Sequence, residues 1–145
     1  MIKKSLILFS LILLTSCSQR DPEKQLNFIS GYWEIESVEV SEDSVKEYKV
    51  NPVVDYIEIK DSKGFRKKVK PRLDGTYTTS ESTEEIEARI EDDSLRLYYT
   101  TPYDSWKETV ISAGKDEMSI INRDGMIYRY KKFSPITIAK DEKKE

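Results

Sequence analysis

Histidine is absent from this chain of 145 residues, and cysteine occurs once, at Cys17. A lone cysteine closes no disulfide within the chain, so stability has to come from packing and backbone pairing. The same scarcity removes histidine as a general base and excludes zinc sites built from His and Cys. The Gly-x-Ser-x-Gly elbow and the Gly-rich phosphate loop are also missing, and adjacent acids such as Asp92 and Asp93 suit turns better than catalysis. The expectation is a protein that is not an enzyme. Beyond residue 16 no apolar run approaches the roughly 20 residues of a membrane span, so the remainder is expected to be water-soluble.

What is present begins with the first sixteen residues. Lys3 and Lys4 precede an apolar run from Leu6 to Leu14, interrupted by Ser10, and Ser16 follows as a small residue. This is the layout of a secretory signal, too short to span a bilayer. Losing Lys3 and Lys4 with it leaves 22 basic against 27 acidic residues, a net charge of −5. An acidic domain of this kind argues against nucleic acid as a partner.

Leu14-Thr15-Ser16-Cys17 resembles the bacterial lipobox at all four positions. That resemblance implies cleavage between Ser16 and Cys17 and a lipidated Cys17 bearing a thioether-linked diacylglycerol, with a further acyl chain such as palmitate on the new amino group in Gram-negative bacteria. One acyl chain gives marginal membrane binding and two or more give stable anchoring. The implied location is the cell envelope, at the outer membrane. Ser18-Gln19-Arg20-Asp21-Pro22-Glu23 is similar to the short acidic signal that sends some lipoproteins to the cell surface, although an ordinary polar tether reads equally well. Apart from the covalent lipid, no cofactor is expected.

Residues 17–28 are polar and without periodicity, so they read as the lipidated cysteine and a flexible tether. From Ile29 onward short runs rich in Val, Ile, Tyr and Thr alternate with turn residues. Strands are predicted over Tyr32 to Val40, Val54 to Lys60, Phe65 to Lys70, Thr76 to Thr79, Glu84 to Glu91, Leu95 to Thr101, Trp106 to Ala113, Met118 to Asn122 and Met126 to Phe133. Turns fall at Asp61-Ser62-Lys63-Gly64, Asp74-Gly75, Asp92-Asp93-Ser94 and Asp124-Gly125. A helix over Ser80 to Glu91 competes on propensity, but Ile86, Ala88 and Ile90 alternate with Glu85, Glu87, Arg89 and Glu91 as a strand would. Short turns join antiparallel neighbours, and a closed sheet removes exposed edges. The prediction is an all-β domain over 29–133, a small antiparallel up-and-down β-barrel of about eight or nine strands. Residues 134–145 form a polar tail in which Ile136 and Ile138 could add a short segment.

Gly31-Tyr32-Trp33 opens the first strand, and Trp106-Lys107-Glu108 and Ile127 to Lys131 carry aromatic and basic residues near the end. This pattern over 29–133 resembles the lipocalin-like lipoproteins of bacteria. The resemblance implies that Gly31 and Trp33 close one end of the barrel, with a basic residue of the last strand, Arg129 or Lys131, packed over the indole. Tyr77, Tyr99, Trp106, Tyr128 and Tyr130 are candidate wall residues for a small, apolar ligand, or else they fill the core.

Lys60, Lys63, Arg66, Lys67, Lys68, Lys70 and Arg72 crowd one hairpin, and Glu81, Glu84, Glu85, Glu87, Glu91, Asp92 and Asp93 the next. The favoured reading is cross-strand pairing between neighbouring hairpins; the other is a basic contact for anionic headgroups or polysaccharide. Two functions from different classes follow. One is an anchored barrel that binds or carries a small ligand, and the other is an accessory module that contacts envelope proteins or glycans through its outer face.

Overall fold

The computed structural model describes residues 20–135. The signal-like segment, Ser16, Cys17, and the tail residues Ile136 and Ile138 lie outside them. One helix, α1 (Pro22–Ile29), precedes ten strands: β1 (Gly31–Ser41), β2 (Ser44–Glu47), β3 (Val54–Lys60), β4 (Lys63–Pro71), β5 (Tyr77–Thr79), β6 (Glu84–Glu91), β7 (Ser94–Thr100), β8 (Ser105–Ala113), β9 (Glu117–Ile121) and β10 (Ile127–Lys132).

Eight strands close on themselves in the order β1-β3-β4-β6-β7-β8-β9-β10, with β10 returning to β1, and every pairing is antiparallel. The predicted meander is therefore the observed fold, with two additions. β2 pairs only with the far half of β1, and β5 only with the end of β4. A bulge between Ile35 and Ser37 lets β1 bend there, so its first half pairs with β3 and its second half with β2.

The β3–β4 and β6–β7 hairpins turn on Asp61-Ser62 and Asp92-Asp93, all four at positive φ, the backbone of tight hairpin turns that match strand twist. Both tips lie at the end of the barrel where α1 packs. The helix donates from Gln25 Nε2 to the Ile111 carbonyl (3.1 Å) and is followed by Ser30, whose hydroxyl bonds Ile59. We call this the closed end. The longer β7–β8 and β9–β10 loops ring the opposite, open end.

Helix α1 corrects the expectation of a flexible tether through residue 28. Asp21 accepts from the Glu23 amide (3.1 Å) as N-cap, and Pro22 stands at the first helical position, where a missing N–H costs nothing. Leu26, Phe28 and Ile29 then pack on the barrel core, and that burial holds so short a helix.

The closed half is filled by Ile29, Trp33, Ile57, Ala88, Leu95, Leu97, Val110, Ala113 and Met118, all buried. Trp33, 0% exposed, donates its indole N–H to the Ile29 carbonyl at 2.8 Å and so ties the helix to the floor. Lys132, not Arg129 or Lys131, lies over the indole, its Nζ 4.2 Å from the ring and 2.9 Å from the Ser30 carbonyl. Burial lowers the pKa of this ammonium, opposed by Asp116. Gly31 makes room for it: its φ of +133° suits glycine, and a Cβ there would stand 2.5 Å from Lys132 Nζ. Arg129 instead faces outward and bonds Glu39 (2.8 Å), while Lys131 reaches Glu34 (3.8 Å). The register explains the difference, because Trp33 is paired with Lys132 and alternation sends Arg129 and Lys131 to the other face.

Candidate functional site

Four of the five aromatic candidates face into the barrel. Tyr99 and Trp106 are cross-strand partners on β7 and β8 with rings stacked 5.2 Å apart, and Tyr128 and Tyr130 lie two apart on β10. Tyr77 is a correction. It stacks on Tyr32 at 4.5 Å, and Tyr32 on Tyr56 at 4.6 Å, in a ladder on the outer wall. β5 leaves the barrel to pair with the β4 extension alone, so its side chains have no lumen to enter.

The inward face also carries charges. Arg66 on β4 is held by Glu84 of β6 through Nε, by Glu108 of β8 at 3.4 Å and by the Tyr99 hydroxyl at 3.3 Å. Its guanidinium also lies 4.3 Å from the Tyr99 ring centre. Side-chain exposure is 12% for Arg66 and Glu108 and 31% for Glu84. Burial by itself disfavours the charge on Arg66, but Tyr99, Glu108 and the bond to Glu84 outweigh it, so the pKa is raised and the cation is permanent. Asp55, also buried, pairs with Lys68. Neighbouring hairpins therefore do bring opposite charges together, with Lys63 in register with Glu87 and Arg66 ion-paired to Glu84, yet the second pair sits inside the barrel.

Trp106 links this cluster to the open end. Its indole N–H points to Glu108 Oε1 at 3.2 Å, and its ring borders an open pocket of about 370 Å³ lined by Asp104, Asn122, Arg123, Asp124, Met126 and Tyr128. Arg123 bonds Asp104 at 3.0 Å, which holds the Asp104 carboxyl below its ordinary range, helped by the Ser105 amide. The β7–β8 and β9–β10 loops thus bring together four polar residues, Asp104, Asn122, Arg123 and Asp124, that no local motif announces.

An antiparallel barrel closed at one end by a helix and an inward tryptophan, with an aromatic pocket at the other, is now matched by a family. This chain belongs to the lipocalin-like domain family. The family's model matches residues 29–120, from the end of α1 through most of β9. Among solved structures the chain is similar to a lipocalin-like protein from Bacteroides uniformis ATCC 8492, at 11% identity and a TM-score of 0.46, over 72% of this chain and 98% of that one. No curated protein matches. Lipocalin-like domains are generally binding proteins that do no catalysis, and the fold suggests a ligand-binding barrel. Among the described residues, no group of three or more His, Cys, Asp or Glu is placed to hold a metal ion, and no helix is long and apolar enough to cross a membrane.

The lipocalin-like core makes a spectroscopic prediction. Burial raises the pKa of Tyr99 well above the ordinary value and also raises Tyr130, while Tyr56 is pushed up to about 12, first by donating to Glu58 (2.7 Å). A phenol with a raised folded-state pKa contributes stability that is complete below the unfolded value near 10 and is lost as pH rises above it. Tyr99 and Tyr130 should each contribute about 1.4 kcal/mol per pH unit to that loss. Absorbance titration is expected to show Tyr99 and Tyr130 ionising only as near-ultraviolet circular dichroism collapses. If all nine tyrosines titrate while that signal persists, the inward placement of the two rings is wrong.

Proposed function

We propose that this chain is a lipid-anchored lipoprotein of the cell envelope, cleaved between Ser16 and Cys17, whose lipocalin-like barrel binds or carries a small ligand with an apolar body. The observation that carries the binding part is the open-end pocket, whose volume falls in the range of small-molecule sites and whose wall sets Trp106, Tyr128 and Met126 beside Asp104, Asn122, Arg123 and Asp124. The anchoring part rests on the lipobox resemblance. The outer membrane of a Gram-negative bacterium is the proposed location.

Chain length supports a definite orientation. Asp21, the cap of α1, follows Cys17 by four residues, a reach of at most about 14 Å. An anchor at Cys17 therefore holds the closed end near the membrane and turns the pocket away from it, toward ligand arriving from the aqueous side. A role for the outer wall in contacting envelope proteins or glycans is less favoured. The concavity beside β6 to β8 is bordered by Tyr99 and Trp106 of the barrel interior, and its outer charges, such as Glu87 and Arg89, already bond each other.

Two measurements test the proposal. Cys17→Ser should shift the protein from the membrane to the soluble fraction and remove its lipid mass; unchanged membrane retention would sink the anchor. Native mass spectrometry of protein isolated gently from its host should show a small bound molecule that is lost on Trp106→Ala. A mass equal to the bare lipidated chain would count against the pocket.

A further inference from the structure

The pocket's charges select among ligands. Its lining holds two carboxylates, Asp104 and Asp124, and one cation, Arg123. Arg123 is engaged by Asp104, whereas the Asp124 carboxylate has no hydrogen-bond or ion-pair partner among the described residues. Behind Trp106 the balance repeats, since Asp55, Glu84 and Glu108 face Arg66 and Lys68, and both cations are already bound to those acids. A ligand bearing a carboxylate would meet an excess of negative charge at either depth. It would find a free guanidinium only by breaking an existing pair.

A positive group meets the opposite situation. The Arg123 guanidinium lies 6.0 Å from the centre of the Trp106 ring, so a cation already occupies the approach to that face. The indole N–H points to Glu108 Oε1, and donation to a carboxylate pushes electron density into the ring, which strengthens its attraction for cations. Tyr128 supplies a second aromatic wall and Met126 an adaptable apolar one.

We infer that the open-end pocket takes an organic cation, an amine or quaternary ammonium on an apolar or aromatic body, and that Arg123 stands in the cation's place until the ligand displaces it. This deepens the proposed function and rests on the pocket being a ligand site. Asp124 is then the counter-ion for the incoming charge, and Asp104 is the acid that holds Arg123 beside the ring before the ligand arrives.

Isothermal titration of the full chain with phenylpropylammonium, phenylpropanol and phenylpropanoate separates the possibilities, because the three share one body and differ in charge. The ammonium should bind about tenfold more tightly than the alcohol, and the carboxylate more weakly than both. Asp124→Asn should erase most of the ammonium's advantage, and Arg123→Ala should enlarge it several-fold by removing the internal competitor. Both residues are in an exposed turn, and unchanged far-ultraviolet circular dichroism checks that the variants fold. Equal binding of all three probes, or tightest binding of the carboxylate, overturns the inference and leaves the pocket as a ligand site. Binding of none of them by a protein that carries a neutral or acidic molecule in native mass spectrometry also overturns it. Binding of none by a protein that carries nothing overturns both the inference and the pocket.

Discussion

Replacing Trp33 by alanine is expected to cost about 3–5 kcal/mol, the range for deleting a large buried aromatic, which is a substantial part of the 5–15 kcal/mol that holds a typical domain together. Three losses coincide at this position. The ring is 0% exposed and fills the closed end, its N–H satisfies the Ile29 carbonyl, and its face supports the Lys132 ammonium. Urea unfolding followed by tyrosine fluorescence should show a lower midpoint with a similar slope. Limited proteolysis should cut the variant near α1, because the indole is one of the bonds that tie the helix to the barrel, beside Gln25 to the Ile111 carbonyl. If alanine prevents folding altogether, Trp33→Phe separates the contributions. It keeps most of the apolar volume but leaves the Ile29 carbonyl without its donor, a cost of about 1–3 kcal/mol. A phenylalanine variant as stable as the parent would mean that the N–H bond contributes nothing to holding the helix.

How much of this floor was legible in the sequence depends on the range of the interactions. Alternation is local, so β3 and β6 were readable to the residue, and the Asp-rich turns were visible as turn chemistry. β2 was not, because all four of its residues are exposed and carry no alternation at all. Helix α1 was hidden by polar composition, although Asp21-Pro22 is a cap followed by a first-position proline and could have been weighed as a helix start. The partner of Trp33 was beyond local reading. It depends on the register between the first strand and the last, and a residue's shift along β10 exchanges Lys132 for an outward side chain.

The inward charges were missed for a different reason. Alternation assigns a face to each position whatever its residue type. Glu84 is in phase with Ile86 and Ala88, and Glu108 with Trp106 and Val110, so their inward direction was written in the pattern. What the pattern lacked was the cation that makes two inward carboxylates tolerable. That cation comes from β4, paired with β6 in the sheet but separated from Glu108 by 42 residues in the chain.

Arg66→Met should therefore be among the most damaging changes in the lumen. Methionine keeps the length and apolar stem of the side chain but removes the charge from between Glu84 and Glu108. Breaking a buried ion cluster by deleting one member costs about 3–5 kcal/mol, because the partners stay buried and uncompensated. Glu84 is partly exposed, which puts the expectation near the lower end of that range. Adding Glu84→Gln and Glu108→Gln to Arg66→Met should restore most of the stability at neutral pH, because the amides need no counter-charge. Urea midpoints for the parent, the single and the triple variant decide the matter. A triple variant no better than the single would show that Arg66 acts through packing against the Tyr99 ring and not by neutralising the inward acids.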